Sequence, residues 1–194
     1  MNPDGKTNDN DSTAVRSPDR ATQPLAPNQQ LGPSEAPPEK AGAYKVGAPV
    51  GSGGGGTVYE AQHAMLGRKA AVKILRRELA ADTRMVARFI REARAVNMIR
   101  HPNIVDIFEF GELPDGRPYY IMELLPGDDL RTMIQRQGRL SPVETLEVLE
   151  PVCAAVLAAH EMGIIHRDLK SSNIVANRVD GKLIVKLLDF GVAK

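Results

Sequence analysis

Hydrophobic and polar positions fall into three regimes along the chain. Residues 1–43 offer only Met1, Val15, Leu25 and Leu31 as sizeable apolar side chains. That is too little to offset the entropy of ordering a chain, so this stretch predicts a disordered tail. From Tyr44 onward, apolar and polar positions alternate in short runs. Tyr44 to Val50, Thr57 to Ala61 and Lys69 to Leu75 read as strands of an antiparallel meander, its first connection rich in glycine and its second a turn at Leu66-Gly67. Between Asp82 and Ile99 the period lengthens. Met85, Val86, Phe89, Ile90, Ala93 and Val96 recur every three to four positions, which predicts an amphipathic helix. Strands resume at Ile104–Phe110 and Pro118–Leu124, around a Pro114-Asp115-Gly116 turn.

The second half reads as more helical. Asp128 to Gln137 suits a short helix stopped by Gly138. Ser141-Pro142-Val143-Glu144 then supplies an N-cap, a proline at the first helical position and a capping-box glutamate. The helix that follows is expected to carry Leu146, Leu149, Val152, Cys153, Val156 and Leu157 on its apolar side, to bend or loosen at Pro151, and to stop at Gly163. A hairpin of Ile174–Ala176 and Leu183–Leu188, turned at Asp180-Gly181, closes the chain.

Composition sharpens the first boundary. Residues 1–43 hold seven of the fourteen prolines and none of the aromatics, which supports a tail ahead of a folded unit. Lys+Arg 25 against Asp+Glu 24 leaves a net charge of +1 with no basic stripe, so nothing points to nucleic acid. The aliphatic stretch Val152 to Ala159 is far short of the ~20 residues of a membrane span. MNPDGKTNDNDS lacks the apolar segment of a signal peptide. A single cysteine, Cys153, forms no internal disulfide, and a reduced, cytoplasmic location is expected.

The run Gly51-Ser52-Gly53-Gly54-Gly55-Gly56 is weak evidence by itself, since a flexible linker has the same composition. A dinucleotide fingerprint would open a helix, yet Thr57-Val58-Tyr59 are alternating β-formers. A P-loop would follow its last glycine with Lys-Ser/Thr, and Gly56 is followed by Thr57-Val58. What remains is a glycine hairpin whose backbone N–H groups can close over phosphates. Downstream residues give it meaning. Gly51, Gly53, Gly56 and Val58 match G-x-G-x-x-G-x-V; Lys73 ends an Ala71-Val72-Lys73 strand; His166-Arg167-Asp168-Leu169 runs on to Asn173 as H-R-D-L-x-x-x-N; and Asp189-Phe190-Gly191 follows. With four motifs in order, the chain from about Tyr44 to Lys194 resembles the eukaryotic-like serine/threonine protein kinases.

The resemblance implies an α+β, bilobal protein-kinase-like fold: an antiparallel N-lobe sheet with one helix, then a truncated helical C-lobe. Residues 44–125 would form the N-lobe and hinge, and residues 126–194 a partial C-lobe. It implies ATP and Mg²⁺ as cofactors and Ser/Thr-containing proteins as substrates. Gly51 to Gly56, including Ser52 and Gly54, would cover the phosphates, and Lys73 would contact the α- and β-phosphates while paired with Glu92. Main-chain groups of Glu123 and Leu125 would meet the adenine edge, Ala71 and Val58 would pack on its face, and Met122 would stand behind it. Asp168 would serve as catalytic base and Lys170 would neutralise the γ-phosphate. Asn173 and Asp189 would hold the metal ions.

Departures from the family pattern are Ala70-Ala71-Val72-Lys73 in place of V-A-I-K, Ser171 where relatives often carry proline, and an end at Lys194 directly after the D-F-G motif. Protein serine/threonine kinase activity is therefore the expected function. The alternative is a truncated nucleotide-binding or scaffolding module of weak or no activity. The helix from Ser141 to Gly163 is expected to lack partners for its apolar face, which would leave an apolar surface, a marginally stable chain and little kinase activity in this polypeptide.

Overall fold

Alternating residues between 40 and 122 build one six-stranded antiparallel sheet in the computed structural model, which describes residues 36–53 and 55–191. Its strands are β1 (Lys40–Ala41), β2 (Tyr44–Ser52), β3 (Gly56–His63), β4 (Lys69–Leu75), β5 (Ile107–Glu112) and β6 (Pro118–Met122), in the order β1-β2-β3-β4-β6-β5. The expected meander is β2-β3-β4, with Val58 opposite Lys73 and Ala71 opposite Met122. β2 carries register shifts between Val46 and Gly51, directly before the glycine run.

Strand structure begins before the expected boundary at residue 43. Lys40–Ala41 pairs with Tyr44–Lys45, and Ala41 is fully buried. Gly42 makes this tight hairpin possible: its φ is +57°, and a Cβ there would run into Glu109 and Tyr119. Residues 1–35 lie outside the described residues.

Two helices follow β4: α1 (Arg77–Ala80), which the apolar pattern did not signal, and α2 (Thr83–Met98). Asp82 caps α2 by accepting the Arg84 N–H at 2.8 Å. Phe89, Ala93 and Val96 form its buried stripe, and Phe89 lies on Tyr120 of β6 with ring centroids 5.0 Å apart.

Beyond β6 the chain forms β7 (Asp128–Asp129), α3 (Leu130–Gln137), α4 (Pro142–Glu161), a 3₁₀ turn at Ser171–Asn173, and the strands β8 (Ile174–Val179) and β9 (Lys182–Leu187). β7, β8 and β9 form a second, three-stranded antiparallel sheet. Its hairpin turns at Asp180 and Gly181, with φ of +50° and +78°, as a two-residue turn between twisted strands requires. Ser141 and Glu144 complete the expected capping box at the start of α4.

The helix runs on through Pro151, with Val148, Val152 and Ala155 buried around it. One expectation for α4 needs correction. Its buried stripe is Val148, Val152, Ala155 and Ala159, whereas Leu146, Leu149, Leu157 and Cys153 are exposed. The helix is apolar on two sides and the described chain covers one of them. No helix among the described residues is long and apolar enough to cross a membrane.

The two sheets meet along a short seam. Ile104 forms a parallel bridge with Leu187 of β9; the Val105 N–H donates to the Leu187 carbonyl at 3.1 Å, and the Leu187 N–H donates to the Asn103 carbonyl at 2.8 Å. One apolar core crosses this seam, from Phe89 and Val96 through Ile104 and Tyr120 to Val152, Leu187 and Phe190. A second core, with Tyr59, Val72 and Ile121, is built from the opposite side of the six-stranded sheet.

Candidate active site

A cleft of about 340 Å³ opens between the two sheets. Its wall includes Gly51, Ser52, Gly53, Val58, Ala71, Lys73, Glu123, Leu125, Asp168, Lys170, Asn173 and Asp189. The structure thus brings most of the expected site residues to one cavity from segments more than a hundred residues apart. Gly55, Gly56 and Glu92 are not on its wall, and Gly54 lies outside the described residues.

The glycine hairpin closes on itself through the Gly53 N–H, which donates to the Gly56 carbonyl at 3.0 Å. Its glycines are not equivalent. A Cβ at Gly51, Gly53 or Gly55 would meet nothing within 4 Å, so bare backbone faces open space there. A Cβ at Gly56 would collide with the Ile74 carbonyl on β4, so Gly56 is required for strand packing.

Lys73 projects from β4, where its residue is only 6% exposed. Its ammonium donates to Asp189 Oδ1 at 2.5 Å and lies 5.8 Å from the centre of the Tyr120 ring. Burial alone pulls the lysine pKa down, but the adjacent Asp189 carboxylate outweighs it and holds the ammonium above its ordinary value. The same surroundings push the buried Tyr120 phenol up: burial acts first, with Lys73 opposing it. The expected Lys73–Glu92 pair is not formed in this structure. Glu92 accepts from Arg88 Nε, one turn earlier on α2, at 3.0 Å.

Asp168 sits in a knot of hydrogen bonds. Lys170 Nζ donates to its Oδ2 at 2.7 Å, and Asn173 Nδ2 donates to the same oxygen at 3.1 Å and to the Asp168 carbonyl at 2.9 Å. The 3₁₀ turn Ser171–Asn173 brings Asn173 back toward Asp168. The D-F-G segment is fastened to the same loop. Phe190 is fully buried with its ring 4.5 Å from that of His166; the Gly191 N–H donates to the His166 carbonyl at 2.8 Å, and His166 Nε2 bonds the Leu188 carbonyl at 2.9 Å. A Cβ at Gly191 would come within 3.1 Å of Asp168 Cβ, so glycine permits this approach. Arg167 and Asp189 hold φ of +60° and +45°, a left-handed backbone that non-glycine residues seldom adopt.

These donors fit a hard divalent cation. Asn173 commits its nitrogen to Asp168, which leaves its amide oxygen unbonded among the described residues, and Asp189 adds a carboxylate. No cluster of three or more His, Cys, Asp or Glu able to hold a metal occurs among the described residues. Two oxygen side chains alone suit an ion that takes its remaining ligands from water and phosphate.

At the back of the cleft, β6 ends at Met122 and the chain runs on as Glu123-Leu124-Leu125. The carbonyl of Glu123 and the N–H of Leu125 carry no hydrogen bond to another described residue. The cleft also uses residues the motifs did not signal. Val105, Val175 and Leu188 add apolar wall, and Asp129, Thr132 and Ser172 line it as well. Only Leu188 had a sequence cue, its place directly before Asp189.

Comparison with known proteins bears on the family and the fold. The family model described as the protein kinase domain matches residues 44–194. A probable serine/threonine-protein kinase of Corynebacterium efficiens, CE0033, is 44% identical over 154 residues, covering 78% of this chain and 23% of that protein. Serine/threonine-protein kinase Pkn1 of Myxococcus xanthus is 44% identical over 156 residues, covering 80% and 22%, and PknA of Mycobacterium tuberculosis is 39% identical over 157 residues, covering 79% and 36%. The chain therefore spans between about a fifth and just over a third of these relatives' length. The crystal structure of the PknI kinase domain of Mycobacterium tuberculosis superposes with a TM-score of 0.63 at 31% identity, over 78% of this chain and 61% of that one.

Proposed function

The chain belongs to the protein kinase domain family, and from that premise we propose that its cleft binds ATP with Mg²⁺ and transfers the γ-phosphoryl group to Ser/Thr hydroxyls of proteins. The observation that carries this reading is the convergence on one wall of Lys73, joined to Asp189 at 2.5 Å, and of Asp168, joined to Asn173 at 3.1 Å.

Each residue has work suited to its surroundings. Lys73, held fully charged by Asp189, binds the α- and β-phosphates. The glycine hairpin brings bare backbone over the phosphates, and the Glu123 carbonyl and Leu125 N–H meet the adenine edge. Asp189 and the amide oxygen of Asn173 hold Mg²⁺, which when bound neutralises phosphate charge. Asp168, oriented by the Asn173 amide, takes the proton of the attacking hydroxyl as its oxygen bonds to the γ-phosphorus and the bond to the ADP oxygen breaks. Lys170, already beside Asp168 at 2.7 Å, offsets the charge of the transferring group.

A second reading, nucleotide binding without transfer, is favoured by one observation: Glu92 bonds Arg88 and not Lys73. Two measurements separate them. ATP binding is followed by calorimetry with Mg²⁺, and transfer by labelled γ-phosphate on a basic protein substrate. The expected result is label transfer that falls about a hundredfold or more in Asp168→Asn, with ATP affinity kept within about threefold. Equal transfer in Asp168→Asn would remove Asp168 from the chemistry. ATP binding without transfer would establish the second reading.

A further inference from the structure

Where the six-stranded sheet gives way to the cleft, a side chain takes the place of a backbone group. β5 and β6 pair up to Ile107 opposite Met122, so the next pair in register is Asp106 with Glu123. A regular antiparallel pair exchanges two main-chain hydrogen bonds, each residue donating to the other's carbonyl. One of the two is present: the Glu123 N–H donates to the Asp106 carbonyl at 2.9 Å. The other is replaced. The Asp106 N–H donates to Glu123 Oε1, also at 2.9 Å, and the Glu123 carbonyl receives no bond from a described residue.

That exchange needs the carboxylate to stay in place, and Lys186 supplies the anchor. From β9 of the other sheet, Lys186 Nζ donates to the same Oε1 at 2.5 Å and reaches the Ile104 carbonyl at 3.3 Å. Both side chains are largely buried, at 16% exposure for Lys186 and 25% for Glu123, so the charge-assisted bond is poorly screened.

We propose that Lys186 is a positioning residue for nucleotide recognition: by pinning the Glu123 carboxylate onto the Asp106 N–H, it frees the Glu123 main-chain carbonyl to accept a hydrogen bond from the exocyclic amino group of adenine. Without the anchor, the Glu123 side chain turns to water, the Asp106 N–H takes the main-chain carbonyl as in an ordinary ladder, and that acceptor is withdrawn from the ligand. The inference rests on the nucleotide reading above and adds a specificity device from outside the cleft wall, since Lys186 does not line it.

The test compares ATP with purine riboside triphosphate, which lacks only the amino group, by calorimetric titration of the purified chain. In the native protein ATP is expected to bind roughly five- to tenfold more tightly, the worth of one hydrogen bond. In Lys186→Met that preference is expected to fall to about onefold, with affinity for purine riboside triphosphate changed less than about twofold. Lys186→Arg is expected to restore the preference. Glu123→Ala, which removes the surrogate acceptor from the other side, is expected to match Lys186→Met and serves as the reporter should that variant not fold. Preserved preference in either folded variant would overturn the inference, as would parallel weakening of both ligands, which would mark the contact as scaffolding only. Failure of the native protein to bind ATP would overturn the nucleotide reading, and a native protein that binds both ligands equally would overturn this inference alone.

Discussion

At the scale of single residues, the site is organised by charges that have been taken out of water and given partners. Lys73 is the clearest case, because its burial is offset first by Asp189 and then by Tyr120. His166 is the uncharged counterpart. Burial holds its imidazole below the ordinary value of 6.5, despite the bond to the Leu188 carbonyl and the nearby Asp168 and Asp189. The unfolded chain therefore binds a proton at a higher pH than the folded one does. The stability this group contributes is present in full above about pH 6.5 and is lost as pH falls through the window beneath it. Urea midpoints are expected to drop between pH 7.5 and pH 5.5, and the drop is expected to shrink in His166→Gln. An unchanged slope would mean that another group carries the dependence. The carboxyl groups held low, those of Asp82, Asp115 and Glu144, start from 3.8 to 4.5 and act in a more acidic window.

At the scale of elements, local chemistry fixes where helices begin and long-range packing fixes which faces they bury. The capping box of α4 satisfies backbone groups at both ends: the Ser141 N–H donates to Glu144 Oε2 at 2.8 Å and the Glu144 N–H donates to Ser141 Oγ at 3.2 Å. Ser141→Ala is expected to cost about 1 kcal/mol, read as a lower urea midpoint with an unchanged slope. The cap at Ser141, and stops such as Gly138 and Gly163, were legible because each acts within one turn of its own sequence. The same holds for the strand alternation from Tyr44 to Leu75, and the motifs that line the cleft were legible through their spacing. β1 was not legible: two residues carry no period, and the burial of Ala41 is decided by its pairing with β2 and by the core it shares with Tyr59 and Tyr119. The apolar side of α4 was misread for a similar reason. Leu146 and Val148 are equally apolar in sequence, and only the position of the hairpin β8-β9 and its neighbours selects Val148 for the core. Lys186 had no signal at all, since a lysine in a strand most often faces water and its partner Glu123 lies 63 positions away.

At the scale of the whole molecule, two sheets with separate edges become one body through few bonds. Covalently they are joined by the segment after Met122. Non-covalently they are joined by the seam of Asn103, Ile104 and Val105 on β9, by the Asn103 amide on the Val185 carbonyl at 2.9 Å, and by the core running beneath them. The cleft lies where the sheets part, so Lys73 and the glycine hairpin come from one sheet, while Asp168, Lys170, Asn173 and Asp189 come from segments flanking the other. Relative motion of the sheets would change the distance between the two sets while leaving each set intact.

The seam also keeps time. The amides of Val105 and Leu187 are each bonded across it, at 3.1 and 2.8 Å, and neither can trade its proton for deuterium while the sheets remain joined. In a deuterium-labelling experiment the two are expected to exchange at a common rate, slower than the unbonded Leu125 amide and well separated from it. A change that loosens one would loosen both by the same factor, so this pair of amides would report how often the halves of the protein come apart.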